Sequence, residues 1–234
     1  MITRYPYQSL GQADHGWLKA RHHFSFASYY NPNRMSFGKL RVVNDDLVEA
    51  GRGFAPHPHK DMEIITYVRT GEVTHQDNMG NKGTTQAGQV QTMSAGSGII
   101  HSEYNLSDEP LTLYQIWIET QSSGIEPQWQ TKDFPTEYSE HLPLLVSGYE
   151  QDKENALHIN QQARIFGGKV KANIEFEHHI TDQAYILASE GEFELIDENG
   201  VTVLNKGDGA EVTHIGSLKI KTRTDSEIVL IDSP

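Results

Sequence analysis

Two stretches of this chain repeat one pattern. Gly71-Glu72-Val73 opens the first, and Gly191-Glu192-Phe193 opens the second, GEFELIDENGVTVLNKGDGAEV. Each runs from Gly-Glu-apolar through a strand-like segment, an Asn/Gly turn and a second segment to a Gly-containing turn, Ala87-Gly88 or Lys206-Gly207-Asp208-Gly209. Repetition on this scale marks one structural unit used twice. The short runs between tight turns make that unit a β module, with Asn199-Gly200 as one of its hairpins. The chain is therefore expected to divide into domains 1–130 and 131–234. The polar, Pro-containing stretch from Gln121 to Pro135 would join them.

The strands can be placed locally. Met62 to Thr70 (MEIITYVRT) is rich in β-branched and aromatic residues and stops at Gly71. Leu111 to Ile118 (LTLYQIWI) alternates large apolar with polar residues, as a half-buried strand does. Asp77-Asn78-Met79-Gly80-Asn81 and Ala87-Gly88-Gln89 read as hairpin turns. Gly96 and Gly98, just before His101, predict a tight bend. The fold class is all-β, an antiparallel barrel or sandwich.

Two short clips carry the chemistry, His57-Pro58-His59 and His101-Ser102-Glu103. Residues two apart on a strand face the same side. If both clips lie on one module, three imidazoles and a carboxylate meet at one interior point. That set contains no thiolate and leaves coordination positions open, which suits a divalent metal that does chemistry. The second copy lacks it. His178 and His179 are adjacent and would face opposite ways, and His214 stands alone. One metal site is expected, in the N-terminal domain.

Composition removes several function classes. The 234 residues are 36% hydrophobic, with no apolar run near a membrane span. The N-terminus lacks the layout of a secretory signal. There is no Cys, hence no disulfide, which fits a cytoplasmic protein. A net charge of −13 opposes direct nucleic-acid binding, which needs cations against phosphates. A monomer without membrane contact is the expected state.

At this point the residues resemble a known family. Gly51, His57-x-His59, Glu63 and Gly71 resemble the first cupin motif, and Gly88, Gly96-x-Gly98, His101 and Asn105 the second. The segments HHFSFASYYNPN, LRVVNDD, GFAPHPHKDMEIITYV, HQDNMGN, MSAGSGIIHSEYN and LYQIWI together resemble pirin, a bicupin family, densely over residues 11 to 120. The resemblance implies two cupin-type antiparallel β-barrels with one metal in the N-terminal barrel. It carries over His57, His59, His101 and Glu103 as ligands, and Glu63 as a non-ligand. It also implies a quercetin 2,3-dioxygenase activity on a flavonol-like substrate with O2, with Glu103 as ligand and base. Animal pirins are described as transcription cofactors as well. A metal-dependent regulatory protein with incidental dioxygenase activity is therefore the alternative.

The ligand types do not choose among metals. Fe(II) is the first expectation, with Cu, Ni, Mn, Co or Zn as alternatives. Glu63, Asn44, Asp46 and Gln115 are the candidates for orienting the ligands. His15, His22 and His23 read as surface or packing histidines, Trp117 as core, and Phe24, Phe26, Tyr29 and Tyr30 as packing rather than pocket lining.

Overall fold

A computed structural model describes residues 1–234. Its strands are β1 Ile2–Tyr5, β2 Gly11–Asp14, β3 Leu18–His22, β4 Leu40–Val48, β5 Gly53–His59, β6 Met62–Thr70, β7 Glu72–Asp77, β8 Lys82–Gln86, β9 Gln89–Ser94, β10 Ile99–Tyr104, β11 Leu111–Glu119 and β12 Gln128–Asp133. They continue as β13 Tyr138–Ser139, β14 Leu144–Ser147, β15 Leu157–His158, β16 Arg164–Val170, β17 Glu175–His179, β18 Ala184–Glu190, β19 Glu192–Asp197, β20 Gly200–Asn205, β21 Gly209–Val212, β22 Ser217–Thr222 and β23 Ser226–Asp232. Helical structure is confined to two three-residue turns. No helix is long and apolar enough to cross a membrane.

The chain forms two compact units, divided differently from one cut at 130/131. The first comprises Gly11–Phe134 and Leu157–Gln161; the second comprises Met1–Leu10, Pro135–Ala156 and Gln162–Pro234. The first ten residues join the second unit because β1 pairs with β21, from Ile2↔Val212 to Tyr5↔Gly209. Arg4 adds an ion pair to buried Asp208 at 2.7 Å. A four-residue strand carries no local sign of so distant a partner.

Each unit is a pair of open sheets, which corrects the expectation of closed barrels. In the first unit, β12-β9-β6-β11-β4-β3-β2 faces β5-β10-β7-β8, and no ladder joins the ends of one sheet to the other. In the second unit, one sheet runs β1-β21-β18-β23-β16-β14 and the other β17-β22-β19-β20. Within each unit the ladders are antiparallel except for β13, which lies parallel to β16 at Tyr138↔Lys169.

Alternation along the strands of the first unit produces a layered interior. On β6 the inward residues run Ile64, Thr66, Val68; on β11 they run Leu113, Gln115, Trp117. Val68 and Leu113 belong to an apolar cluster with Leu18, Val48 and Val73 at one end, and Ile64 to another with Met93 and Ile99 at the other end. A polar belt of Thr66, Gln91, Glu103 and Gln115, all buried, lies between them. Leaving such groups unpaired costs about 1–3 kcal/mol each, so a belt of this kind persists only if its members bond one another.

The second unit lacks the belt. Aligned on Gly71 and Gly191, Thr66 corresponds to Ile186 and His75 to Leu195, both fully buried in hydrocarbon. Strand β22 occupies the place of β10 between its neighbours, but its inward residues are Leu218 and Ile220. Of the imidazoles on β17, only that of His178 is buried, and it packs edge-on against Phe166.

Candidate metal centre

Strand β5 has β10 as its only hydrogen-bonded neighbour and ends its sheet. That edge position is where a strand tolerates Pro56 and Pro58, which lack an N–H. The ladder pairs His57 with His101, then shifts so that Glu103 faces Phe54. The shift is a bulge at Ala55-Pro56, and it keeps both Phe54 and His57 on the inner face. Gly96 and Gly98 make the bend before β10, with φ of 48° and 137°. A Cβ at Gly96 would sit 2.1 Å from Ile125 O, so no side chain fits there.

Three imidazoles meet on this sheet. The ligand nitrogens of His57, His59 and His101 all lie within 4.8 Å of one another. His57 Nε2 and His101 Nε2 are 3.1 Å apart. His57 Nδ1 donates to Ala55 O at 2.7 Å; a carbonyl only accepts, so that nitrogen carries the hydrogen. Burial, with the neighbouring rings of His57 and His75, lowers the His101 pKa to about 3. Burial, with His101 and His57, lowers that of His59 to about 4. Both are neutral near pH 7, the form a metal needs.

Glu103 does not enter this triple. It falls with His75 and His101 in a second, overlapping group whose ligand atoms also lie within 4.8 Å. Two carboxamides hold it. Gln91 Nε2 donates to Oε1 at 2.5 Å, and Gln115 Nε2 donates to Oε2 at 2.8 Å. Thr66 and Thr85 close the belt: Thr66 Oγ1 donates to Gln115 Oε1, and Thr85 Oγ1 donates to Gln91 Oε1. The structure therefore presents two triples sharing His101, where the sequence suggested four side chains around one point.

His75 and Gln91 escape the sequence reading. His75 is fully buried, stacks on Trp129 at 5.0 Å and lies 2.8 Å from Asp77 Oδ2 through Nε2. Its Nδ1 is 3.3 Å from His101 Nδ1. The available signal was His75-x-Asp77, a same-face pair like the other two clips.

A cavity of about 450 Å³ opens over His57, His59, His101 and Glu103. Its apolar wall includes Phe26, Phe54 and Trp117; its polar wall includes His22, Asn44 and Asp46. This corrects several expectations. His15 and His22 line the cavity and Trp117 forms part of its wall, as does Phe26, whereas Phe24, Tyr29 and Tyr30 do not. Asn44 Oδ1 bonds His22 Nδ1 at 2.8 Å and not a candidate ligand. Glu63 neighbours Ile64 on β6 and so faces away from the cavity. Its Oε2 accepts from Ser94 Oγ at 2.6 Å. Only Gln115, of the four residues expected to orient ligands, bonds one of the four side chains.

The donor set fits a divalent transition metal. It offers neutral imidazoles beside a carboxylate, with cavity above them. Two nitrogens each ~2.1 Å from one ion and at right angles lie ~3.0 Å apart. The 3.1 Å between His57 Nε2 and His101 Nε2 matches that spacing.

Comparison with known proteins agrees with the architecture. The Pirin family profile matches residues 4–118, and that of the quercetinase C-terminal cupin domain matches residues 144–233. A pirin-like protein of Caulobacter vibrioides is 50% identical over 236 residues, covering 100% of both chains. The quercetin 2,3-dioxygenase of Escherichia coli K12 is 42% identical, covering 96% of this chain and 95% of that protein. The crystal structure of the bacterial pirin YhhW from Escherichia coli in complex with nickel(II) superposes with a TM-score of 0.92 at 40% identity, covering 100% of this chain and 99% of that one. With the fold, both profiles and full-length relatives in agreement, the chain belongs to the pirin family.

Proposed function

We propose that the first unit binds one divalent transition metal through His57, His59, His101 and Glu103, and that it is a dioxygenase cleaving flavonols such as quercetin with release of carbon monoxide. The observation that carries the reading is the trio of imidazole nitrogens, in the spacing of adjacent metal ligands, under a cavity with an aromatic wall. Its volume lies within the range of small-molecule sites. Fe(II) is the metal proposed for this chain; the nickel(II) complex of the Escherichia coli relative makes nickel the first alternative.

The residues divide the work. Phe26, Phe54 and Trp117 hold a planar aromatic substrate and exclude water. Glu103 takes the proton of the substrate's enolic hydroxyl. A phenolic group near pKa ~10 and a carboxylic acid near ~4.3 differ by about 6 units, or ~8 kcal/mol. When bound, the cation would supply the Lewis acidity that closes this gap and stabilises the oxyanion. The amides of Gln91 and Gln115 hold Glu103 in position.

The test is anaerobic reconstitution with Fe, Mn, Co, Ni and Cu in turn, then quercetin turnover in air with carbon monoxide detection. Turnover with CO, dependent on one metal and lost in His57→Ala and His101→Ala, is the expected result. Stoichiometric metal binding without turnover for any ion would transfer support to the regulatory alternative. Near wild-type turnover by fully metallated Glu103→Gln would remove Glu103 as the base.

A further inference from the structure

We propose that Asp77, acting through His75, fixes the tautomer of His101 so that its Nε2 lone pair faces His57 and His59. The inference deepens the metal-centre reading above and rests on it for its purpose.

Asp77 Oδ1 accepts from Met79 N at 2.9 Å, Asn81 N at 3.0 Å and Asn81 Nδ2 at 3.2 Å. Its Oδ2 accepts from Asn81 Nδ2 at 2.9 Å. A carboxylate so surrounded by donors is an acceptor toward its remaining neighbour, His75 Nε2, at 2.8 Å. That nitrogen therefore carries the hydrogen, and in the neutral ring Nδ1 is bare. His75 Nδ1 lies 3.3 Å from His101 Nδ1. Two bare nitrogens at this distance repel, so the hydrogen between them belongs to His101 Nδ1. His101 Nε2 is then bare and faces His57 Nε2, 3.1 Å away, which is bare too because His57 Nδ1 donates to Ala55 O. That pair is favourable only with a cation between the two nitrogens, so this hydrogen order belongs to the ion-bound site.

The setting holds this order in place. The side chains of His75 and Asp77 are wholly buried, and His101 is 2% exposed. Water cannot substitute for either link. The same carboxylate closes the β7–β8 turn through Asn81, so the turn and the ring orientation depend on one group. Metal-binding histidines generally need such a partner on the far nitrogen, and its loss costs ten- to hundredfold in affinity. Asp77 and His75 are thus positioning residues.

Three variants separate polarity from packing. His75→Gln retains an acceptor for His101 and a donor for Asp77. His75→Phe keeps an aromatic ring against Trp129 but offers neither. Asp77→Asn can turn a donor toward His75 and reverse the chain. Nickel(II) affinity is measured by chelator competition on the metal-stripped full chain, and the His101 tautomer by long-range 1H–15N correlation on the protein loaded with diamagnetic zinc(II). The expected result is Nδ1–H at His101 in wild type and His75→Gln. Nickel affinity should stay within threefold for His75→Gln and fall ten- to hundredfold for His75→Phe and Asp77→Asn. If Asp77→Asn does not fold, the two His75 variants decide. Nε2–H at His101 in wild type, equal affinity of the Gln and Phe variants, or a second nickel equivalent lost with His75 would each overturn the proposal. If wild type binds no nickel, the metal reading fails for that ion, and the tautomer in the zinc-loaded protein still decides this one.

Discussion

Gln91 Nε2 donates to Glu103 Oε1 at 2.5 Å while its own Oε1 accepts from Thr85 Oγ1 at 3.0 Å and Trp129 Nε1 at 3.2 Å. One buried carboxamide therefore joins the carboxylate to two other strands. Gln91→Leu removes bonds to four side chains and leaves Glu103 Oε1 and Trp129 Nε1 without a partner, and we expect a loss of about 3 kcal/mol in urea unfolding. Gln115→Leu, which strands fewer groups, should cost roughly half as much. Equal unfolding midpoints for wild type and Gln91→Leu would show that the belt is not held by this residue.

Asp46 gives the protein a pH-dependent stability. Burial, then the charges of Asp45 and Glu103, raise its pKa to about 8, against an opposing pull from Arg69. Its ordinary value is 3.8, so between about pH 4 and pH 8 the folded state holds a proton that the unfolded state releases. Stability from this group is present below pH 4 and is lost as pH rises toward 8. Asp46→Asn removes the dependence. Its unfolding midpoint relative to wild type should rise between pH 5 and pH 8.5, and a constant difference across that range would contradict the assignment.

Gly96→Ala tests the bend before β10. The new Cβ meets Ile125 O at 2.1 Å, and φ is 48°. The strain of that backbone region alone costs about 1–3 kcal/mol, and the clash adds to it. We expect at least ~2 kcal/mol of destabilisation and weaker nickel binding, because His101 follows the bend. Thermal unfolding and metal titration of one preparation read both.

Metal binding should stabilise the fold. Saturation at one hundred times the dissociation constant contributes ~2.7 kcal/mol, a rise of roughly 5–10 °C in the unfolding midpoint. EDTA should reverse the rise, and His57→Ala should not show it. An identical rise in His57→Ala would place the ion elsewhere.

The parts legible in the sequence were those with a local period. His57-x-His59 and His101-x-Glu103 follow from strand alternation, and the paired modules from Gly71 and Gly191. What escaped depends on which strands meet. His75 matters because β7 pairs with β10, with Asp77 opposite His101. No spacing along the chain encodes that pairing. Glu63 looked like an orienting group because it is a polar residue near the first clip, yet parity on β6 turns it away from the cavity, beside Ser94. The assignment of Met1–Leu10 to the second unit required the non-local β1–β21 ladder.

The edge position of β5 has a consequence for intermolecular behaviour. An exposed strand edge invites another chain to add to it by backbone hydrogen bonding. At Pro56 and Pro58 this edge has no donors to give. The residues flanking His57 thus make the strand a poor template for aggregation or strand exchange. The sheet can carry two of its histidines at its rim without becoming adhesive there.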